Sequence, residues 1–238
     1  MGFDKNAWNY LVSSDHRVGE DLEFIRVYFK GLKFEKLLDI ASGAGHFANI
    51  FDANSKVISD ISLNMLKTAK KHYGFEQVVR CDAMNLPFKD NSFDIATCRI
   101  AFHHFRRPFE FFKEVHRILK LKAFFVLIDS IVDIDDKELN RIEKIRDKTH
   151  YKSHTVEEIL SFAKGFRLIS FHTIFKRHNF EEWAARLSPD KDTFNRIENA
   201  FLELNRDIKN ELKVEIKDGK VVSYTDKKGI FIFQRLGG

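Results

Sequence analysis

The sequence predicts an α/β fold, a doubly wound and mostly parallel sheet, and three features predict it. The first is Leu37-Leu-Asp-Ile-Ala-Ser-Gly-Ala-Gly45. An apolar run ends on Asp39, opens onto a loop with Gly43 and Gly45, and passes into a helical pattern at Phe47, Ile50 and Phe51. That pattern describes a buried strand, a tight turn and a helix whose N–H groups face back toward a ligand. The second is Ala123-Phe-Phe-Val-Leu-Ile128, a continuous apolar run suited to a central strand covered on both faces. The third is the alternation of strand-like and helical segments between them, which requires right-handed crossovers in a parallel sheet.

Taken in order, the periodicity predicts helices over about 4–12 and 16–30, the second with Ser14 as N-cap and Gly31 as its stop. A strand (35–40), helix (45–53), strand (55–59), helix (62–72) and strands at 76–81 and 93–98 follow. Pro108 suits the first turn of a helix running to about 120. After Asp129 the pattern changes to a charged helix at 135–148 with Ile142 and Ile145 on one side. Thr155 and Glu158 form a capping box for a helix over 155–164, and a strand follows at 166–174. Residues 180–209 read as helix interrupted at Pro189, Asp218-Gly219 marks a hairpin, and Ile230-Phe-Ile-Phe233 a last sheet strand with the hairpin as an add-on. One domain of 238 residues is expected: N-terminal helices over 1–31, a ligand-binding core over 35–130, and a cap over 130–165 and 176–225 that shapes a substrate pocket.

Composition narrows the class. The apolar runs are too short and too interrupted by charge to span a membrane, and Met1-Gly-Phe-Asp-Lys-Asn6 lacks the features of an export or acylation signal. A cytoplasmic protein is expected, with Cys81 and Cys98 as free thiols near strand ends. The net charge of +5 is spread among 35 acids with no dense basic tract, which disfavours nucleic acid as a partner and leaves the oligomeric state open.

The position of Asp39, before the glycines, selects among ligands. A dinucleotide pyrophosphate would be repelled there. A ligand with an ammonium beside a carboxylate suits it, the ammonium on Asp39 and the carboxylate on the helix N-terminus. S-adenosylmethionine carries both groups. Gly43-Ala-Gly45-His-Phe-Ala48 also fits a dinucleotide fingerprint, so an NAD(P)-dependent oxidoreductase stays open as the rival, with Asp39 against it.

Four blocks resemble the class I S-adenosylmethionine-dependent methyltransferases, and more narrowly the type 11 group that includes enzymes of ubiquinone and menaquinone biosynthesis. They are Leu38–His46, Ser59–Leu66, Cys81–Asp94 and Cys98–Phe105. The resemblance implies a seven-stranded Rossmann-like sheet, S-adenosylmethionine as cofactor and S-adenosylhomocysteine as product. Carried over by position, Asp39, Gly43 and Gly45 hold the methionine end, Asp60 takes the ribose hydroxyls and Ile61 lies against the adenine. Asp82 accepts from the adenine amino group with Ala83 and Met84 beside it, and the backbone at Arg99 faces the sulfonium. Ala41 stands where the family usually has glycine, a position that alanine serves only in an ordinary strand-end conformation.

Methyl transfer needs alignment above all, and a general base only where the acceptor keeps its proton at neutral pH. The candidate bases are His103, His104 and His150, although adjacent histidines seldom share one pocket. No histidine pair has the carboxylate or thiolate partners of a metal site. No Asp/Asn-Pro-Pro-aromatic motif follows the fourth strand, which marks down base amino groups of DNA, and Cys98 has no preceding proline. A small-molecule acceptor is the leading reading. RNA methylation and a non-catalytic S-adenosylmethionine-binding role are the alternatives. Phe102, Phe105, Phe175, Phe180 and Trp183 are candidates for an apolar pocket, Arg146 and Arg177 for reading an acidic substrate, and Trp8 and Tyr10 for closing over the cofactor.

Overall fold

The computed structural model describes residues 19–133 and 137–237. Its elements are α1 (Glu20–Tyr28), β1 (Phe34–Ile40), α2 (His46–Asn49), β2 (Ala53–Asp60), α3 (Leu63–Tyr73), β3 (Gln77–Arg80) and β4 (Phe93–Arg99). After a 3₁₀ turn at Phe102–His104 come α4 (Pro108–Ile118), β5 (Leu119–Ile131), α5 (Glu138–Arg146), α6 (Val156–Phe162) and β6 (Phe166–Asn179). The remainder is α7 (Phe180–Ala185), α8 (Lys191–Leu202), α9 (Arg206–Glu211), β7 (Glu215–Lys217) and β8 (Lys220–Arg235). The strand order is β3-β2-β1-β4-β5-β8-β6, with β7 paired to β8 off this path. β3, β2, β1, β4 and β5 run parallel, and β8 runs antiparallel to β5 and β6. The seven strands of the main path and the mostly parallel sheet are as the sequence predicts. Chain order reverses between β1 and β4, and such a reversal opens a crevice at the strands' C-terminal ends.

Each face of the sheet carries its own core. Leu22, Ile25, Phe29 and Leu66 pack from α1 and α3 on Leu37, Ile58, Ile128 and Ile232. Phe111, Phe112 and Val115 of α4, with Ile159 of α6, cover Leu38, Phe93, Phe125 and Phe233 on the other face. A third cluster joins Leu139 and Ile142 of α5 to Phe180, Trp183, Phe201 and Tyr224. Of the segment 130–165, then, α5 belongs with the helices after β6, whereas α6 belongs to the body.

Local chemistry explains most boundaries. Ser62 caps α3 by accepting from the Met65 N–H at 3.2 Å, and Thr155 and Glu158 form the predicted capping box of α6. Pro108 opens α4. Four expectations change. The helix predicted from 16 begins at Glu20, with Gly19 in the N-cap position; Ser14, Trp8, Tyr10 and the helix placed at 4–12 lie outside the described residues. The helix predicted over 45–53 is a single turn, because the chain must return to pair Ala53 with Phe34 at the start of β2. Residues 180–209 form three helices, with a second break at Asn205, which caps α9 by accepting from the Ile208 N–H. Finally, the hairpin is no add-on: its second arm runs without interruption into the sheet as the 16-residue β8.

Candidate active site

The crevice holds a cavity of about 210 Å³, lined from the strand ends by Asp39, Ala41, Gly43, Asp60, Ile61, Arg99, His103 and His104. Arg146, Asp147, His150, Trp183 and Arg186, from α5, the segment after it, and α7, line it too, as does Lys228 of β8.

Asp39 ends β1 almost wholly buried. Its Oδ1 accepts from the Thr97 hydroxyl at 2.6 Å and its Oδ2 from the Ala48 N–H at 3.2 Å. Burial outweighs these bonds and pushes its carboxyl up to about 7. One turn of helix supplies little dipole, so α2 contributes less to anion binding than the sequence suggests, and Asp39 itself ties that turn down.

The loop after β1 is built from left-handed residues: Ala41 (φ 52°), Gly43 (φ 52°) and Gly45 (φ 82°). Ala41 therefore does not keep the ordinary strand-end conformation on which its tolerance rested. The two glycines do different work. A Cβ on Gly43 would meet nothing within 4 Å, so its backbone borders open cavity. A Cβ on Gly45 would stand 2.6 Å from the Phe75 ring and 3.1 Å from the Ala69 methyl, and Gly45 is not among the lining residues. Its role is close packing of the loop on α3.

Asp60 ends β2. Its Oδ2 accepts from the Gly43 N–H at 2.9 Å and its Oδ1 from the Ser62 N–H at 2.8 Å, which fixes the loop against the strand. The Asp60 carboxylate also lines the cavity, where it can accept from a ligand hydroxyl. Ile61 beside it is exposed on the cavity wall. Asp82, Ala83 and Met84 stand past the end of β3 but outside the lining. Asp82 accepts from the Met84 N–H at 2.9 Å, Ala83 joins the core, and Arg80 donates from Nε to the Ile61 carbonyl at 3.0 Å, crossing between the two sites.

The loop after β4 carries most of the polar chemistry. Arg99 donates from Nε to Asp21 Oδ2 at 2.6 Å, docking α1 over the crevice, and Ile100 takes a left-handed conformation (φ 53°) that is exceptional for a β-branched residue. His103 Nδ1 lies 2.6 Å from Asp129 Oδ1. Asp129, at the end of β5, also accepts from the N–H groups of Ala101 (3.1 Å), His103 (3.2 Å) and Ser130 (2.7 Å). With an acceptor on Nδ1, Nε2 is the ring nitrogen left for the cavity. Burial works against a charged imidazole here, but the Asp129 carboxylate overrides it and holds His103 above its ordinary value. Burial and the neighbouring His103 lower His104 to about 3 and His150 to about 4. His103 stacks on His150, the ring centroids 5.2 Å apart, and lies 4.1 Å from His104. The adjacent histidines thus both line the cavity.

Of the other sequence candidates, Arg146 and Trp183 line the cavity, with the guanidinium carbon 4.4 Å from the indole centroid and Glu143 2.9 Å from Nη2. Arg177 pairs with Glu215 at 2.6 Å away from it. Phe105 is in the lining, whereas Phe102 and Phe180 are core and Phe175 is exposed elsewhere. Burial raises both thiols, Cys81 to about 11, so neither is a ready nucleophile. The sequence reading passed over Asp129, although an acid ending an apolar strand is the signal that marked Asp39. It also passed over Thr97 and Ile100, for which no local signal exists, and gave Lys228 no site role.

Comparison with known proteins gives the family. Residues 38–127 match the type 11 family model described as "Methyltransferase domain". The chain belongs to the class I methyltransferases. It is 32% identical over 169 residues to the uncharacterized methyltransferase YcgJ of Bacillus subtilis, a match that covers 66% of each chain. The demethylmenaquinone methyltransferase of Thermotoga maritima is 33% identical over 99 residues, covering 40% of this chain and 43% of that enzyme. The crystal structure of BH2331 from Bacillus halodurans superposes with a TM-score of 0.86 at 29% identity, over 92% of this chain and all of that one. Family membership removes the ground for the oxidoreductase reading. No helix among the described residues is long and apolar enough to cross a membrane.

Proposed function

We propose that this chain transfers a methyl group from S-adenosylmethionine to a small molecule whose nucleophile carries a proton, with His103 as general base. The observation that carries the reading is that Asp39, the Gly43–Asp60 contact and His103, held from behind by Asp129, line one cavity. The donor set fits the cofactor. Asp39 is a buried carboxylate held up for want of a counter-charge, which an ammonium would supply. Gly43 presents bare backbone to open space, and the Asp60 carboxylate lines the same cavity, where it can accept from a diol. Bound S-adenosylmethionine supplies an electrophilic methyl on a sulfonium.

The remaining work falls to the chain. Asp129 fixes the His103 tautomer with Nδ1 protonated, so Nε2 accepts the proton that an acceptor hydroxyl or amine gives up. The imidazolium that results is stabilised by the buried carboxylate, a contribution on the order of 10²–10⁴-fold for a positioned base. His104 and His150 stay neutral and add no competing charge. Trp183, in the lining, helps to exclude water from a step in which the positive charge passes from the sulfonium to the His103 imidazole. A cavity closed by polar side chains suits a compact acceptor better than an RNA strand.

Calorimetric titration with S-adenosylhomocysteine, beside NADH and an Asp60→Ala variant, tests the cofactor. Micromolar or tighter binding that the variant weakens, with no NADH binding, is the expected result. Absence of that binding would overturn the reading.

A further inference from the structure

Four lysine and arginine side chains line the cavity, and three are engaged within the chain. Arg99 is paired with Asp21, Arg146 is forked on Glu143 beneath Trp183, and Arg186 has contacts of its own. Lys228 differs. Only 5% of its surface is exposed, yet among the described residues no hydrogen bond or ion pair reaches its ammonium. Asp21, the carboxylate its field reaches, is committed to Arg99 at 2.6 Å. A lysine buried to this degree is ordinarily paired, because leaving an ammonium short of both water and counter-charge costs several kcal/mol.

Its place in the sheet tells what it faces. Lys228 lies on β8 opposite Ser130 of β5. β5 is next to β4, and β4 next to β1, which carries Asp39. Lys228 is therefore three strand spacings, about 14 Å, across the sheet from Asp39, and four residues, about 13 Å, farther along the strands. On that face of the sheet the Arg99–Asp21 pair lies between them, and His103, held by Asp129 at the end of β5, lines the same cavity. The cofactor reading places the methyl donor at the β1 and β2 ends, so Lys228 lies at the end of the cavity away from it, where an acceptor has room.

We propose, resting on the methyl-transfer reading above, that the acceptor carries an anionic group, a carboxylate or phosphate, which binds the Lys228 ammonium. Its reacting atom then reaches back toward His103 Nε2, and Trp183 and Phe105 offer apolar surface to the body between. Lys228 acts as a specificity residue. A neutral analogue leaves the ammonium unpaired, and a site that pairs a buried polar group rejects ligands lacking its partner far more strongly than one that merely adds contact area.

The same chemistry would suit the methionyl carboxylate of the cofactor, and the experiment separates the two. Wild type, Lys228→Met and Lys228→Arg are titrated with S-adenosylhomocysteine. Each is then saturated with it and melted in the presence of benzoate, phenyl phosphate or neutral benzamide. Benzoate or phenyl phosphate is expected to raise the wild-type melting temperature by about 3 °C at several-fold excess over its dissociation constant. Benzamide should leave it unchanged, Lys228→Met should lose the shift, and Lys228→Arg should keep part of it. Homocysteine-compound affinity should stay within twofold in both variants. A tenfold loss of that affinity in Lys228→Met would assign the ammonium to the cofactor and overturn the proposal. So would equal shifts from benzoate and benzamide, or no anion-dependent shift in wild type. Failure of wild type to bind S-adenosylhomocysteine at all would instead remove the methyl-transfer reading on which the proposal rests.

Discussion

His103 and Asp129 are joined at 2.6 Å although 26 residues separate them, because β4 and β5 run side by side with Arg99 opposite Ile128. The pair leaves one histidine of three able to charge near neutrality. Proton NMR of the imidazoles should show a single midpoint above 6.5 in this cluster, with His104 and His150 neutral throughout. In Asp129→Asn the burial that opposes charge is no longer countered, so the His103 midpoint should fall below 6.5. With an acceptor in hand, kcat should fall as pH drops through the wild-type midpoint, and His103→Ala should lower it by about 10²–10⁴-fold with cofactor affinity within twofold. A His103 midpoint that ignores the Asp129 substitution would defeat this account.

Asp39 makes the opposite kind of prediction. Its carboxyl titrates near 7 in the fold and near 3.8 in the unfolded chain. A folded value above the unfolded one gives stability that is full below 3.8 and lost as pH rises to about 7. Above that window the free protein carries a buried charge costing up to about 4 kcal/mol. Asp39→Asn should therefore melt higher than wild type at pH 8, with the gap closing toward pH 4. Its affinity for S-adenosylhomocysteine should fall at least tenfold, since the ammonium loses its counter-charge. For wild type, that affinity should rise from pH 6 to pH 8 as Asp39 ionises. Thermal melts and titrations across that range check both arms, and a pH-independent affinity would separate Asp39 from the ligand.

The contrast between these two sites shows what is legible in a sequence. Asp39 is a local signal, since it ends an apolar run and precedes a glycine turn, whereas Asp60 follows from the family resemblance. Asp129 also ends an apolar run, but its meaning depends on His103, and only the β4–β5 register brings the two together. Lys228 is more remote still: its strand is antiparallel, and its facing of Ser130 follows from sheet order. The fold was readable because alternation of strand and helix admits few topologies. Helix α2 was overestimated because Phe47, Ile50 and Phe51 fit a helical period, while the demand that β2 pair from Ala53 is a tertiary constraint that wins. Ala41 was recognisable as a departure, yet its backbone angle was not.

Ala41 adopts φ 52°, a region that costs an alanine about 1–2 kcal/mol. Ala41→Gly relieves that strain but gives the unfolded chain more freedom, about 0.4–1 kcal/mol in the other direction. The net expectation is a gain of up to about 1 kcal/mol in denaturant unfolding, with cofactor affinity unchanged or improved because the loop keeps its shape. A clear loss of stability would mean that the loop does not hold this conformation in solution.

Gly43 and Gly45 sit two residues apart in the same left-handed loop, yet replacing each by alanine should fail in different ways. Both variants suffer the backbone penalty. Gly45→Ala adds a methyl 2.6 Å from the Phe75 ring, which must move against a packed core, a further cost of about 1–3 kcal/mol. Gly43→Ala adds its methyl to open cavity, where no protein atom resists it, but where the cofactor reading puts the ligand. Gly45→Ala should therefore show the larger drop in unfolding free energy. Its residual folded protein should bind S-adenosylhomocysteine nearly as wild type. Gly43→Ala should stay folded and lose affinity by tenfold or more. If the two changed places, so that Gly45→Ala bound poorly while remaining stable, the methionine-end role first given to Gly45 would be restored and its packing role withdrawn.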